Sequence, residues 1–210
     1  MELYYPVKNP INQQNLFGAK EDFAASTGQL GHPGIDFECP MYTPVYAPCD
    51  GNAFYVTDKY GGCGIYIRTL DNAYNIILWH MVPAGTPGYP YSITASDFVL
   101  TPVKAGQLLG YSGDSGYPAE SSGPHLHVGM MPLNSALTAL NPTNGYMGCV
   151  NPLPFFNAKF AQDIPALEAV VATASTVVQD IATDTTDTPA QKISWLQQLS
   201  LWLQSIFGDY

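Results

Sequence analysis

The chain has 210 residues, enough for one ordinary domain with a hydrophobic core plus an appendage. Hydrophobic residues make up 46% and charged residues 11%, which excludes a disordered chain and leaves a lightly charged surface. With 7 Lys plus Arg and a net charge of −10, too few cations exist to neutralise a run of phosphates; nucleic acid is excluded as a partner, and a neutral or cationic substrate suits the field better.

The first segment, MELYYPVKNPINQQNLFG, has no basic region followed by an apolar run, so no signal peptide is expected. No stretch reaches the roughly 18 apolar residues of a membrane span. Residues 1–150 read as β. TPVYAPCDGNAFYVT, GIYIRTL and YNIILWHM are short β-branched and aromatic runs, separated by Asp-Gly, Gly-Gly and Asp-Asn turn signals. GYPYSITASDF is an excursion between strands, after which VKAGQLLGYSG resumes the strand pattern. Gly 19, Pro 18 and Tyr 14 fit the same reading, since turns need the first two and strands favour the third.

The period changes after NPLPFFN. Leu167, Val170, Val171, Ala174, Val177, Val178 and Ile181 recur at helical spacing from about Ile164. TDTTDTP is a linker. A second helix is expected from about 190 to 207, with Ile193, Leu196, Leu199, Leu203 and Ile206 on one face, Trp195 and Trp202 beside it, and Gly208 ending it. The domains expected are therefore 1–154, a mainly β domain, and 155–210, a helical hairpin or tail for anchoring, packing or oligomerisation. Residues 160–210 are acidic, which argues against anionic lipid. This tail is expected to pack onto the β domain or onto copies of itself; a membrane surface, or a virion or assembly protein, is the alternative partner.

The four cysteines are Cys39, Cys49, Cys63 and Cys149, and none forms a C-x-x-C pair. A thiolate zinc site is not expected. Buried thiols are the first reading; one or two disulfides, with Cys39–Cys49 as the leading pair, are the alternative.

All four histidines lie in three segments beside Gly or Pro turns. In GPHLHVGM, strand alternation would project His125 and His127 to the same side. Such a pair can be a metal pincer, a catalytic pair or an accident of a strand. In GHPGIDFE, Pro33 and Gly34 oppose a helix, so His32 and Asp36 belong to a loop entering a strand. A surface histidine and a capping aspartate would give the same spacing. His80, closing IILWHM, taken alone is an ordinary core histidine. Taken together, these residues suffice for a catalytic zinc site, which needs three protein ligands and one open position, and they leave two imidazoles for proton transfer and charge stabilisation.

The stretches GHPGIDFECPMYTPVYAPCDG, GGCGIYIR, IILWHM, VKAGQLLGYSGDSGY and GPHLHVGM, over roughly residues 30–132, resemble the lysostaphin-type (LytM-like) zinc endopeptidases, which cut peptides of bacterial peptidoglycan. The resemblance implies a compact antiparallel β-sheet catalytic domain, one Zn2+ per chain, and hydrolysis of a peptide bond near glycine or a D-amino acid. It implies His32, Asp36 and His127 as the metal ligands, and His80 and His125 as the catalytic residues acting on the water and the transition state. Two features depart from the family's pattern. The link before the Pro-His-x-His segment is the longer YPAESSG, residues 117–123, expected to border the substrate groove. The excursion over residues 83–98 is also long, and is a second candidate groove wall.

The expected function is thus a zinc metalloendopeptidase acting at the bacterial cell wall. A wall hydrolase without a signal peptide fits a bacteriophage virion protein that opens the wall locally during infection. The alternatives are an endolysin accumulated in the cytoplasm, a structural or wall-binding virion protein whose helical tail joins the assembly, and a bacterial enzyme exported by a specialised system.

Overall fold

The β-branched runs and their turns become ten strands among the described residues of a computed structural model, which are 1–19, 28–96, 98–164, 178–179 and 188–207. The strands are β1 (Leu3–Tyr5), β2 (Gly34–Phe37), β3 (Pro44–Tyr46), β4 (Gly51–Thr57), β5 (Cys63–Thr69), β6 (Tyr74–Trp79), β7 (Thr101–Val103), β8 (Leu108–Tyr111), β9 (Leu126–Pro132) and β10 (Phe156–Phe160). A helix, α1, spans Pro189–Phe207. The protein is mainly β, as its composition suggested.

Six strands form an antiparallel sheet in the order β2-β9-β6-β5-β4-β7. Its two central hairpins close on Asp-rich turns. Asp58 Oδ1 accepts from the backbone N–H of Tyr60 and Gly62, and Asp71 Oδ1 from that of Ala73, so each carboxylate replaces the ladder bonds a turn loses.

The register gives the two faces of the sheet different chemistry. Ile35, Val128, Leu78, Ile65 and Tyr55 are successive partners across five strands, and all are buried in the core. One residue along, the row on the other face reads Asp36, His127, Trp79, Gly64 and Val56. Fully burying a Val, Leu or Ile side chain contributes about 1.5–3 kcal/mol, so the apolar row holds the polar row in place.

Two small pairs complete the β unit: β3 with β8, antiparallel, and β1 with β10, parallel. The second pair ties the segment after residue 155 to the start of the chain. Phe156 stacks on Tyr5 with ring centroids 4.6 Å apart, and Phe160 lies against the same ring at 5.7 Å. Residues 155–164 therefore belong to the β unit, which runs Met1–Ile164; the second unit is Pro165–Tyr210, so the division falls ten residues later than the expected 154/155.

The four cysteines are free and buried, and no Cys39–Cys49 bridge forms. Burial pushes the thiols of Cys39, Cys49 and Cys149 up to about 12, so they serve as apolar core groups.

In the second unit, α1 starts on a capping box. Thr188 Oγ1 accepts from the Gln191 N–H, and Gln191 Oε1 accepts from the Thr188 N–H, with Pro189 as the first helical residue. Ile193, Trp195, Leu196 and Leu201 are exposed on it. No described helix is long and apolar enough to cross a membrane. Of the helix expected over 164–181 only residues 164 and 178–179 are described, the latter pair helical; the rest of it, and Gly208, the expected end of the second helix, lie outside the described residues.

The β1–β10 pairing generates a test. A chain ending at residue 164 should melt as the intact β unit does. One ending at residue 155 loses Phe156 and Phe160 and should melt roughly 10 °C lower or more, read by circular dichroism. Equal melting temperatures would show that β10 adds nothing.

Candidate metal centre and active site

The antiparallel register of β2 and β9 sets Asp36 directly opposite His127, on the face away from the core. His32 enters from the loop before β2. Its N–H donates to the Ala19 carbonyl (2.8 Å) and its carbonyl accepts from the Gly18 N–H (2.9 Å), so a neighbouring strap fixes its backbone on both sides. The path is a loop running into a strand, in keeping with Pro33 and Gly34. Gly34 has a packing reason too: a Cβ there would collide with the Val128 carbonyl and lie 2.7 Å from the His127 ring.

Three donor atoms meet at one point. His32 Nε2 is 2.8 Å from His127 Nδ1, and Asp36 Oδ1 is 3.2 Å from each. All three residues are buried and together could hold a metal ion. Tetrahedral zinc with bonds of about 2.0–2.2 Å holds its donors about 3.3 Å apart, so an ion fits after shifts of a few tenths of an ångström. The protonation chemistry fits as well. The Asn15 carbonyl can only accept, so His32 Nδ1 (3.1 Å away) carries the hydrogen and Nε2 presents its lone pair to the centre. Burial holds His127 below the ordinary imidazole value, although Asp36 pulls the other way, which favours the neutral ring a metal requires. Burial pushes the Asp36 carboxyl up, but its hydrogen bonds to His127 and His32 outweigh that and hold it well below the usual carboxylate range.

His125 and His80 stand beside the donors. His125 precedes β9 and faces the same way as His127; its Nε2 is 3.7 Å from Asp36 Oδ2. Strict alternation would turn His80 away from the face shared by Trp79 and His127. A left-handed backbone at His80, with φ of 59, breaks the alternation, and its ring centroid lies 4.4 Å from that of His125 and 6.2 Å from that of His127. Each of the two rings donates Nδ1–H to a carbonyl at 2.8 Å, His125 to Gly123 and His80 to Ser115. Their Nε2 lone pairs are thereby left for chemistry. Burial pushes His80 down to about 3, helped by the charges of His125 and His127, so its ring is neutral at ordinary pH.

Asn15 escaped the sequence reading. Its side-chain amide donates to Asp36 Oδ2 (3.0 Å), and its carbonyl accepts from both the Asp36 N–H (3.2 Å) and His32 Nδ1–H. One residue thus orients two of the three donors. Its place in a polar stretch, 17 residues before His32, offered no signal.

A cleft of about 420 Å3 opens beside the centre, with Asp36, His125, Asn15, Glu38, Pro40 and Ser122 among its walls. Ser122 and Gly123 belong to the long link over 117–123, which does border this cleft. The excursion over 83–98 does not: none of its described residues lines it, and Tyr89 instead stacks on Tyr42 with centroids 4.0 Å apart. In the link, burial and the neighbouring Asp58 carboxylate push the Glu120 carboxyl up to about 7.

The sequence profile of peptidase family M23 matches residues 30–142. The chain belongs to peptidase family M23. An uncharacterized metalloprotease of Haemophilus influenzae is 28% identical over 128 residues, 59% of this chain and 23% of that protein. Lysostaphin of Staphylococcus staphylolyticus is 35% identical over 101 residues, 48% of this chain and 18% of that protein. The chain thus spans about a fifth of the length of these curated relatives. Among solved structures, the catalytic domain of the antimicrobial peptidase lysostaphin from Staphylococcus simulans is 25% identical, covers 72% of this chain and 88% of that one, and has a TM-score of 0.45.

Two predictions follow from this geometry. Asn15→Ala removes the amide but keeps the carbonyl, and should weaken zinc binding about tenfold in competition with a chelating dye; unchanged affinity would contradict its orienting role. Glu120 is raised in the folded state, so its contribution to stability is complete below the ordinary glutamate value and is lost as pH rises through about 7. Between pH 5 and 8 the wild type should therefore lose more melting temperature than Glu120→Gln; parallel curves would contradict the assignment.

Proposed function

We propose that the chain is a zinc-dependent endopeptidase that hydrolyses peptide bonds of bacterial peptidoglycan. The observation that carries this is the convergence of His32 Nε2, Asp36 Oδ1 and His127 Nδ1 beside two imidazoles whose Nδ1 atoms are locked onto carbonyls. Membership of peptidase family M23 and the likeness to lysostaphin support it.

Zinc held by the three donors would supply Lewis-acid activation of a water molecule and of the scissile carbonyl. The rest is the work of this chain's own groups. The cleft beside Asp36 and His125 receives the peptide. His125 Nε2 accepts a proton from the attacking water, and the Gly123 carbonyl stabilises the imidazolium through Nδ1–H. As the C–N bond breaks, that proton passes to the departing amine nitrogen, giving a carboxylate and an amine. His80 starts neutral. With its Nε2 lone pair toward the site it accepts a hydrogen bond from the attacking water and orients it, while the Ser115 carbonyl keeps the ring in place.

The setting we propose is a bacteriophage particle, supported by the exposed apolar side chains of α1, which suit docking within an assembly. Mass spectrometry of purified particles would find the chain among their proteins; its absence would favour an endolysin released at lysis.

The purified protein should carry zinc near one equivalent and release new amino termini from purified peptidoglycan. His125→Ala should keep its zinc and lose 10²–10⁴-fold in rate (order of magnitude), whereas His127→Ala and Asp36→Ala should fail to hold zinc. Normal lysis by His125→Ala would overturn the assignment of roles. A protein that binds the wall but releases no amino termini would instead be a wall-binding module.

A further inference from the structure

The wall of the cleft carries an acidic side chain that the proposed chemistry does not use. Glu38 follows β2 at the centre of a tight turn, where the Cys39 N–H donates to the Phe37 carbonyl (2.8 Å), and it lines the same cleft as Asp36. Its backbone is held on both sides, the N–H donating to the Pro10 carbonyl (2.9 Å) and the carbonyl accepting from Asn9 Nδ2 (3.0 Å). Its carboxylate is exposed and forms no hydrogen bond or ion pair with the described residues. The cleft around it includes Cys39, Pro40 and Pro124, which are apolar, and no Lys or Arg. An anion beside apolar stretches of a mixed wall, with no cation among the lining residues, complements an alkyl stem that ends in an ammonium group. The field of a chain with net charge −10 favours the same ligand.

We propose that Glu38 forms a specificity subsite for an ammonium group of the substrate peptide, carried on a diamino-acid side chain or a free amino terminus. The proposal rests on the endopeptidase reading above and names the feature of the substrate that the cleft selects. Asp36 is committed to the centre, where its Oδ1 meets the two histidines and its Oδ2 accepts from Asn15. Glu38 is therefore the carboxylate of the cleft wall that can take up a substrate cation.

The test uses lysine-containing peptidoglycan in two forms, native and with its free amino groups acetylated. The full chain, wild type and Glu38→Gln, is loaded with equal zinc, and kcat and kcat/KM are read from released amino termini. Acetylation should lower the wild-type kcat/KM roughly two- to fivefold, as expected for one exposed ion pair. Glu38→Gln should cut both forms equally, with the low kcat/KM of wild type on the acetylated wall and an unchanged kcat. Wild type that ignores acetylation, or Glu38→Gln that keeps the full preference, would overturn the subsite while leaving the endopeptidase reading intact. Wild type that cuts neither wall would overturn both.

Discussion

The register between β2 and β9 is the constraint on which the rest of the molecule depends. Because side chains alternate, the same pairing that sets Ile35 against Val128 in the core sets Asp36 against His127 on the other face. A slip of one residue would drive a carboxylate and an imidazole into the apolar core and expose two β-branched residues. The apolar row continues through Leu78, Ile65 and Tyr55, so the hydrophobic energy of five strands enforces the alignment of two polar side chains. Gly34 belongs to the same design, since the His127 ring occupies the space where a Cβ would sit.

Backbone carbonyls do the second part of the work. Asn15, Gly123 and Ser115 each accept from an imidazole Nδ1, and a carbonyl admits one tautomer. Three of the four histidines are thus held with Nε2 presented as a bare lone pair. His127 differs, turning Nδ1 to the centre from within the strand opposite Asp36. The three converging donors and the two neighbouring rings stand side by side without interfering, because His125 and His80 each have a carbonyl anchor of their own.

Much of this was legible in the sequence, for reasons that can be named. Turn residues and β-branched runs marked the strands of the large sheet, and period-two alternation put His125 and His127 on one side. Pro33 and Gly34 excluded a helix for His32 and Asp36. The roles of the residues came from resemblance, as spacing alone left a pincer, a catalytic pair and a strand accident open. What stayed hidden depends on contacts distant in sequence or on backbone conformation. Asn15 acts through an amide and a carbonyl that meet Asp36 and His32 only in the folded chain, and a carbonyl is something every residue possesses. His80 reaches the site through a left-handed φ that its position at the end of IILWHM did not announce. Phe156 and Phe160 read as the approach to a helical tail until Tyr5, more than 150 residues earlier, supplied their stacking partner.

The central claim is that two imidazoles and one carboxylate converge to hold one zinc ion with a position left for solvent. X-ray absorption at the zinc edge tests it most directly, because it reads ligand types and distances at the metal itself. The account predicts two imidazole nitrogens and two oxygens, all at about 2.0–2.2 Å. A sulfur shell at about 2.3 Å, or a first shell without two imidazoles, would contradict it.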